Sequence, residues 1–195
     1  LLHNPFFYYT GQDIASSSIL PVAILEHGDF ILDEYKQFFI EGWRDPYFVA
    51  EVNGHLVSRY PVVPAVLALP LYGVPLATGW LTNPGYDWLT FPWSVFFPAK
   101  FAAACLSALA VLMFYFCARE LVDRSTSVVL AIAFGLGTSV WSTASQGLWQ
   151  QTPSILFQLI GVWFVLRGER KGATAVVPGA LFFSAATIAR ANDAL

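Results

Sequence analysis

The sequence predicts an all-α protein, a polytopic transmembrane helical bundle with an extracytoplasmic loop of short membrane-parallel helices. The first observation behind this prediction is composition, because 56% of the 195 residues are hydrophobic, only 12% are charged and the mean hydropathy is +0.58. Soluble domains carry about 25% charged residues. The second observation is that the few charges are placed unevenly and leave long uncharged stretches. Together these features exclude disordered, collagen-like and coiled-coil chains.

The uncharged stretches define the transmembrane part of the chain. Residues 101–118, 125–166 and 172–189 contain no Asp, Glu, Lys or Arg, and a helix needs about 20 mostly apolar residues to cross a bilayer. The middle stretch is too long for one span and its centre, residues 142–152, is polar, so it divides there into two helices. The predicted transmembrane domain, residues 95–195, therefore contains four spans, at about 95–118, 126–143, 151–166 and 173–190.

The distribution of basic residues predicts the orientation of these spans in the membrane. Two predicted loops, residues 119–125 and 167–172, contain five basic residues, whereas the polar turn at residues 142–152 contains none. The positive-inside rule therefore places both loops in the cytoplasm. Residues 1–94 contain nine acidic and three basic residues and precede a span that enters from outside. We expect this segment to be extracytoplasmic.

Two elements of local structure are predicted within the extracytoplasmic segment. Residues 14–25 are expected to form a helix, with Asp13 at its start as a capping residue. Residues 47–59 alternate around the pair Asn53–Gly54, which is the sequence signal for a β-hairpin.

A third segment, residues 61–81, is long enough to span a membrane and carries no charge. It contains four prolines, however, and a proline inside a helix removes a backbone donor and kinks the chain. We therefore expect a broken, membrane-embedded or interfacial hairpin of short helices. Such irregular backbone is tolerated where protein or a water-filled cavity surrounds it, which makes this segment a candidate wall of a site.

Asp13 is the first candidate for chemistry, because it precedes an apolar helix near the predicted membrane surface. It is either an ordinary helix cap or a general base, since a carboxylate can accept the proton of an attacking hydroxyl within hydrogen-bond reach. The two cysteines, Cys105 and Cys117, lie in an apolar stretch and read as small hydrophobic residues. The three histidines are not spaced as a metal site, and the basic residues form no nucleic-acid-binding stripe.

Three isolated cations have two interpretations each. Arg59 precedes the proline-rich segment. It either binds a lipid-linked phosphate, whose oxygens a guanidinium can bind with two parallel donors, or lies at the level of the lipid headgroups. Arg190 follows the last predicted span and either has the same role or pairs with Asp193. Lys100 lies at an outer helix end and is either a substrate contact or a headgroup contact.

Four motifs follow one another along the chain: TGQDIASSSILPVAILEHGDF, NGHLVSRYPVVPAVLALPLY, LWQQTPSIL and TIARANDAL. In this order and spacing the chain resembles the N-terminal part of a C-type (GT-C) membrane glycosyltransferase. It is similar to the dolichyl-phosphate-mannose mannosyltransferase-like and aminoarabinose-transferase-like members. Residue 1 is Leu and the lone methionine is Met113, so we expect a fragment without its first span.

The resemblance implies a function. A sugar would move from a polyprenyl-phosphate carrier to a lipid, glycan or protein acceptor, without metal or other cofactor, in the bacterial inner membrane. Asp13 would be the general base, Arg59 and Arg190 would bind the carrier phosphate, and Tyr60 and Lys100 would be further substrate-binding residues.

The chain also departs from the family pattern in three places. Ile14 follows Asp13 where the family has Glu, Tyr60 stands where some relatives have Lys, and Ala191 replaces a Pro. The alternatives to a transferase are a transporter or flippase of lipid-linked intermediates and a non-catalytic relative. Either would share broken helices and isolated membrane cations.

Overall fold

A computed structural model describes residues 12–37, 39, 46–79, 81, 91–171, 174 and 176–190. Most of these residues are helical, and the sheet within them is a single pair of strands. The chain divides into two compact units. Among the described residues, the amino-terminal unit comprises those from 12 to 102 and Gly147–Trp149, and the carboxy-terminal unit comprises Ala103–Gln146 and those from 150 to 190.

The amino-terminal unit combines helices with a hairpin. In chain order its elements are α1 Gln12–His27, a 3₁₀ turn Asp33–Tyr35, β1 Val49–Val52, β2 His55–Ser58, α2 Val63–Ala77 and the start of α3 Phe91–Leu121. The predicted helix over residues 14–25 is confirmed by α1, which ends where Gly28 adopts φ 79°. Asp13 lies in the first turn of α1 rather than before it.

The hairpin predicted around Asn53–Gly54 is confirmed. Its strands are antiparallel, with Val49 opposite Ser58 and Val52 opposite His55. Asn53 and Gly54 have φ 52° and 84°, the positive values that a two-residue type I′ turn requires. The pairing extends one residue outward, because the Arg59 amide donates to the Phe48 carbonyl at 3.0 Å.

The segment after α1 fastens this hairpin along its second strand. Leu32 N donates to Leu56 O at 2.8 Å, and Asp33 Oδ1 accepts from the Leu56 amide at 2.6 Å. The other carboxylate oxygen of Asp33 lies 2.8 Å from His55 Nδ1. The Leu56 amide first, and His55 second, hold the pKa of Asp33 below its usual value. The hairpin is therefore tied to the chain that leaves α1.

The proline-rich segment forms one continuous helix over most of its length, which corrects the expectation of a broken hairpin of short helices. α2 contains Pro70 and Pro75, and its second residue is Pro64. A proline in the first turn costs little, because the first helical amides lack partners anyway. At 1.5 Å per residue its 15 residues span only about 22 Å, which is short of the ~30 Å hydrocarbon core.

A buried tyrosine joins the three helices of the amino-terminal unit. Tyr72 on α2 is fully buried, and its hydroxyl lies 2.9 Å from the Ser18 carbonyl of α1 and 3.0 Å from the Val95 carbonyl of α3. Small buried side chains on α1, Ser16 to Ser18, present a narrow helix surface. The unit is therefore held by a polar contact at the centre of an apolar interface.

The carboxy-terminal unit is built from helices. It contains the rest of α3, then α4 Arg124–Gly137, a π-helical turn Val140–Ala144, α5 Gln151–Lys171 and α6 Val176–Ala189. Asp123 caps α4 by accepting from the amides of Ser125 and Thr126 at 2.9 and 3.1 Å. α5 and α6 approach closely at two glycines, because a Cβ on Gly161 would lie 3.0 Å from Phe183 and one on Gly179 would lie 3.1 Å from the Gly161 carbonyl.

One predicted span has a counterpart of full membrane length. Among the described residues, only Val95–Leu121 within α3 is both long and apolar enough to cross a membrane, and it covers the predicted span 95–118. The four-span bundle stays a prediction.

The other three predicted spans have shorter or less apolar counterparts. For the span 126–143, α4 ends at Gly137, because the backbone of Thr138 is extended, and a π-helical turn follows at Val140–Ala144. For the span 151–166, α5 has 21 residues and is less apolar than α3. For the span 173–190, α6 has 14 residues, and residues 173 and 175 lie outside the described part.

The turn conformation gives a stability test. We expect Gly54→Ala to lower the free energy of unfolding by about 1–2 kcal/mol, because an L side chain at positive φ is strained. Equilibrium unfolding in mixed micelles, followed by tryptophan fluorescence, measures the change. The matched control is Gly73→Ala in α2, where a Cβ meets open space and helix propensity favours alanine. Equal losses in both variants would contradict the turn assignment.

Candidate functional site

The strongest polar arrangement in the amino-terminal unit surrounds Asp13. The Tyr60 hydroxyl donates to Asp13 Oδ1 at 2.7 Å, and the Tyr47 hydroxyl donates to the same oxygen. One turn further along α1, the hydroxyls of Ser58 and Ser16 lie 3.0 Å apart. We call these five residues the Asp13 cluster.

The periodicities of a helix and a hairpin explain why these five side chains meet. Asp13 and Ser16 are three residues apart on α1 and therefore share one helix face. Ser58 and Tyr60 are two residues apart and lie on the same side of an extended chain. The observed register, counted one pair beyond Phe48 and Arg59, sets Tyr47 opposite Tyr60.

The phenols respond electrostatically to the carboxylate. Donation to Asp13 is the main cause that raises the pKa of Tyr47. Burial first, and donation to Asp13 second, raise the pKa of Tyr60 well above its usual value. Both tyrosines therefore keep their protons at neutral pH and act as donors.

The two oxygens of the Asp13 carboxylate differ. Oδ1 accepts both phenolic hydroxyls, whereas within the described part of the chain no side chain or amide donates to Oδ2. The carboxylate is half-buried and so remains reachable from outside. It is thus fixed through one oxygen and open at the other, which is the arrangement a proton acceptor needs.

The other predicted site residues are placed differently. Arg59, next to Tyr60, is exposed, and no described side chain forms an ion pair with it. Lys100 is buried within α3 of the amino-terminal unit, at 2% exposure. Arg190 follows α6 in the carboxy-terminal unit and is half-buried. Asp193, its alternative partner, lies outside the described residues.

Sequence analysis identified Asp13 and Tyr60 separately and missed Tyr47. A usable signal was present, because a two-residue turn at Asn53–Gly54 pairs residues equally far from it on either side. Counting outward from that turn reaches Tyr47 and Tyr60 together. The register alone does not predict that these tyrosines contact α1, because that contact depends on how the hairpin packs.

The third motif also approaches α1. A Cβ placed on Gly147 would lie 2.8 Å from Ile14 Cδ1, so the chain just before LWQQTPSIL packs directly against the residue that follows Asp13. Leu148 is fully buried. Parts of three of the four motifs thus meet in the amino-terminal unit. Of the fourth motif, TIARANDAL, residues 187–190 are described and lie in the other unit.

An apolar groove lies between α2 and α3 in the amino-terminal unit. Its volume is about 390 Å³, within the range of small-molecule sites. The walls are hydrophobic throughout and consist of Pro70, Leu71, Val74, Pro75, Phe97, Pro98 and Phe101. Such a groove suits a hydrocarbon chain rather than a polar solute.

Two further features bear on the chemistry. Both cysteines are free. Among the described residues, no three His, Cys, Asp or Glu side chains are grouped so that they could hold a metal ion.

Comparisons with protein-family models, curated proteins and solved structures find no match to this chain. The resemblance to C-type glycosyltransferases consequently rests on the four motifs, and the function is argued from the Asp13 cluster.

The Asp13 cluster predicts a measurable titration. Asp13→Asn removes the negative charge that Tyr47 faces, so the pKa of Tyr47 is expected to fall toward its ordinary value near 10. Tyrosinate absorbance, recorded as the difference between each protein and its Tyr47→Phe counterpart, isolates this phenol among the eight tyrosines. The control is Glu51→Gln, the same chemical change at an exposed strand residue, which is expected to leave the titration unchanged. A Tyr47 titration that does not respond to Asp13→Asn would contradict the contact.

Proposed function

We propose that this chain is part of a polytopic membrane glycosyltransferase that moves a sugar from a polyprenyl-phosphate-linked donor to an extracytoplasmic acceptor. Asp13 acts as the general base. The observation that carries the proposal is the Asp13 carboxylate, held at Oδ1 by two tyrosine hydroxyls, while no described side chain or amide donates to Oδ2.

The proposed reaction is a displacement at the anomeric carbon of the donor sugar. The acceptor hydroxyl oxygen forms the new glycosidic bond while the bond from the sugar to the carrier phosphate breaks. Asp13 Oδ2 receives the acceptor's proton, and the phosphate departs with the bonding electron pair, still attached to its lipid. Fixed positive charge near that phosphate stabilises the leaving group in the transition state.

Arg59 is the candidate for the carrier phosphate. It is adjacent in sequence to Tyr60 and exposed, so its guanidinium is accessible to an anion. A guanidinium holds phosphate oxygens with two parallel donors. Arg190 stays a proposed phosphate-binding residue on the motif resemblance, and Lys100 stays a proposed substrate-binding residue.

The apolar groove supports a lipid-linked donor. Its walls come from α2 and from the beginning of the membrane-length helix α3, in the same unit as Asp13. Burying hydrocarbon on such a surface contributes about 0.8 kcal/mol for each methylene. A lipid tail thus has an apolar surface available in the unit that holds the carboxylate.

The surface of the carboxy-terminal unit supports the four-span arrangement. Large aliphatic side chains on α4 and α6 are exposed, among them Val129 at 64%, Leu136 at 61%, Leu181 at 67% and Ile188 at 67%. Soluble proteins seldom expose apolar surface on this scale. We propose that lipid covers these faces in the bacterial inner membrane, with residues 1–94 on the outer side.

The general-base role predicts a loss of activity in Asp13→Asn. A positioned base contributes about 10²- to 10⁴-fold to the rate, and the amide cannot accept the proton. Membranes containing the full-length protein are incubated with radiolabelled mannosyl- and glucosyl-phosphodecaprenol, and transfer into endogenous envelope acceptors is counted. We expect transfer to fall by that factor.

Glu51→Gln is the matched control, because it changes an exposed carboxylate of the same unit to an amide. It is expected to retain transfer. Full transfer by Asp13→Asn would exclude the general-base role. Movement of labelled lipid across the bilayer without any transfer would instead identify a flippase.

The proposed topology predicts opposite labelling of two loops. Ser125 lies in the first turn of α4 and Ser142 in the π-helical turn that follows it, and both are exposed. In a background with Cys105→Ala and Cys117→Ala, a cysteine replacing Ser142 is expected to react with a membrane-impermeant maleimide in intact spheroplasts. A cysteine replacing Ser125 is expected to react only after lysis, because its loop is cytoplasmic by the positive-inside rule. Labelling of both from one side would overturn the division of residues 125–166.

A further inference from the structure

We propose that Tyr47 and Tyr60 are positioning residues, which fix the Asp13 carboxylate through Oδ1 and leave Oδ2 as the oxygen that takes the proton. This inference rests on the proposed function, since it assigns the division of labour within the same site. It adds Tyr47 to the site and gives Tyr60 a role different from the substrate contact that the motif resemblance implied.

The geometry restricts the carboxylate. The terminal torsion of an aspartate is broad and roughly two-fold, so an unrestrained carboxylate exchanges its two oxygens readily. Here two phenols, one from each arm of the hairpin, donate to the same oxygen. Exchange of the oxygens breaks both bonds together, and hydrogen bonds to a charged acceptor are the stronger class.

The hairpin that carries both tyrosines is itself held in place by further hydrogen bonds. Beyond the strand pairs, the hairpin is tied to α1 by the contact between Ser58 and Ser16, and to the segment after α1 by Asp33. The two tyrosines therefore approach Asp13 from one preformed element. Holding a reacting group this way lowers the entropic part of the barrier, and a misplacement of 1 Å costs about 10²-fold in rate.

The proposal also separates two neighbouring residues. The Tyr60 hydroxyl already donates its proton to Asp13, so that proton is not available to a phosphate. Arg59 is exposed, and no described side chain forms an ion pair with it. Arg59 is thus left for the donor phosphate, while Tyr60 serves the carboxylate.

The test uses Tyr47→Phe and Tyr60→Phe in the full-length protein in membranes, because each keeps the ring and removes only the donor. With mannosyl- and glucosyl-phosphodecaprenol as donors, we expect apparent kcat to fall by about 10- to 100-fold. The apparent KM for the donor is expected to change by less than about twofold, which is the pattern for a group acting only in the chemical step.

Two further variants complete the design. Tyr35→Phe removes a phenol that donates to Glu26 at 3.2 Å, and it is expected to leave both constants unchanged. Asp13→Glu keeps the charge but moves the carboxylate by one methylene, and it is expected to lower kcat at unchanged KM. This second variant tests positioning even where a tyrosine variant fails to accumulate in the membrane.

The outcomes separate the two proposals. Loss of transfer in Asp13→Asn, with full kcat in both phenylalanine variants and in Asp13→Glu, would overturn the positioning role and leave the general base standing. A raised KM at unchanged kcat in Tyr47→Phe or Tyr60→Phe would make the tyrosines substrate contacts and likewise overturn it. Full transfer by Asp13→Asn would overturn the proposed function and the positioning role together.

Discussion

The hairpin register is the constraint on which the candidate site depends. Positive φ at both Asn53 and Gly54 closes the turn in two residues, and residues equally far from it then face one another. Because strand side chains alternate with a period of two, a slip by one residue would send Tyr60 to the opposite face of the hairpin. The two phenols meet one carboxylate oxygen only in the observed register. A local backbone preference thus controls a contact between residues 47 positions apart.

A few polar contacts set the arrangement of the largely apolar amino-terminal unit. Tyr72 links α1, α2 and α3 through two carbonyl oxygens, and Asp33 fastens the hairpin by accepting from Leu56. Buried polar groups are costly unless they are hydrogen-bonded, so each satisfied pair selects one arrangement of the elements around it. In the Asp13 cluster, two phenols donate to one carboxylate oxygen, and among the described residues the other oxygen has no donor.

The elements that could be predicted from sequence are those with a strong local signal. An apolar stretch predicts α1 and the long helix α3, and the turn residues Asn53–Gly54 predict the hairpin. The continuous course of α2 could not be read in this way, because proline propensity suggests a break, and the cost of a proline depends on where in the helix it falls. Likewise, the uncharged composition of residues 126–143 does not reveal that α4 ends at Gly137, before the extended residue Thr138.

By itself the sequence determined that the chain is mostly helical and apolar, that it has a hairpin around Asn53–Gly54, and that Asp13 and Tyr60 are candidates for chemistry. Composition, the length of uncharged stretches and turn residues can be recognised in the sequence because they do not depend on tertiary contacts. Only the tertiary structure decided that Tyr47 joins Tyr60 on a single oxygen of Asp13. That contact depends on the packing of a helix face against a hairpin face, which neither segment specifies alone.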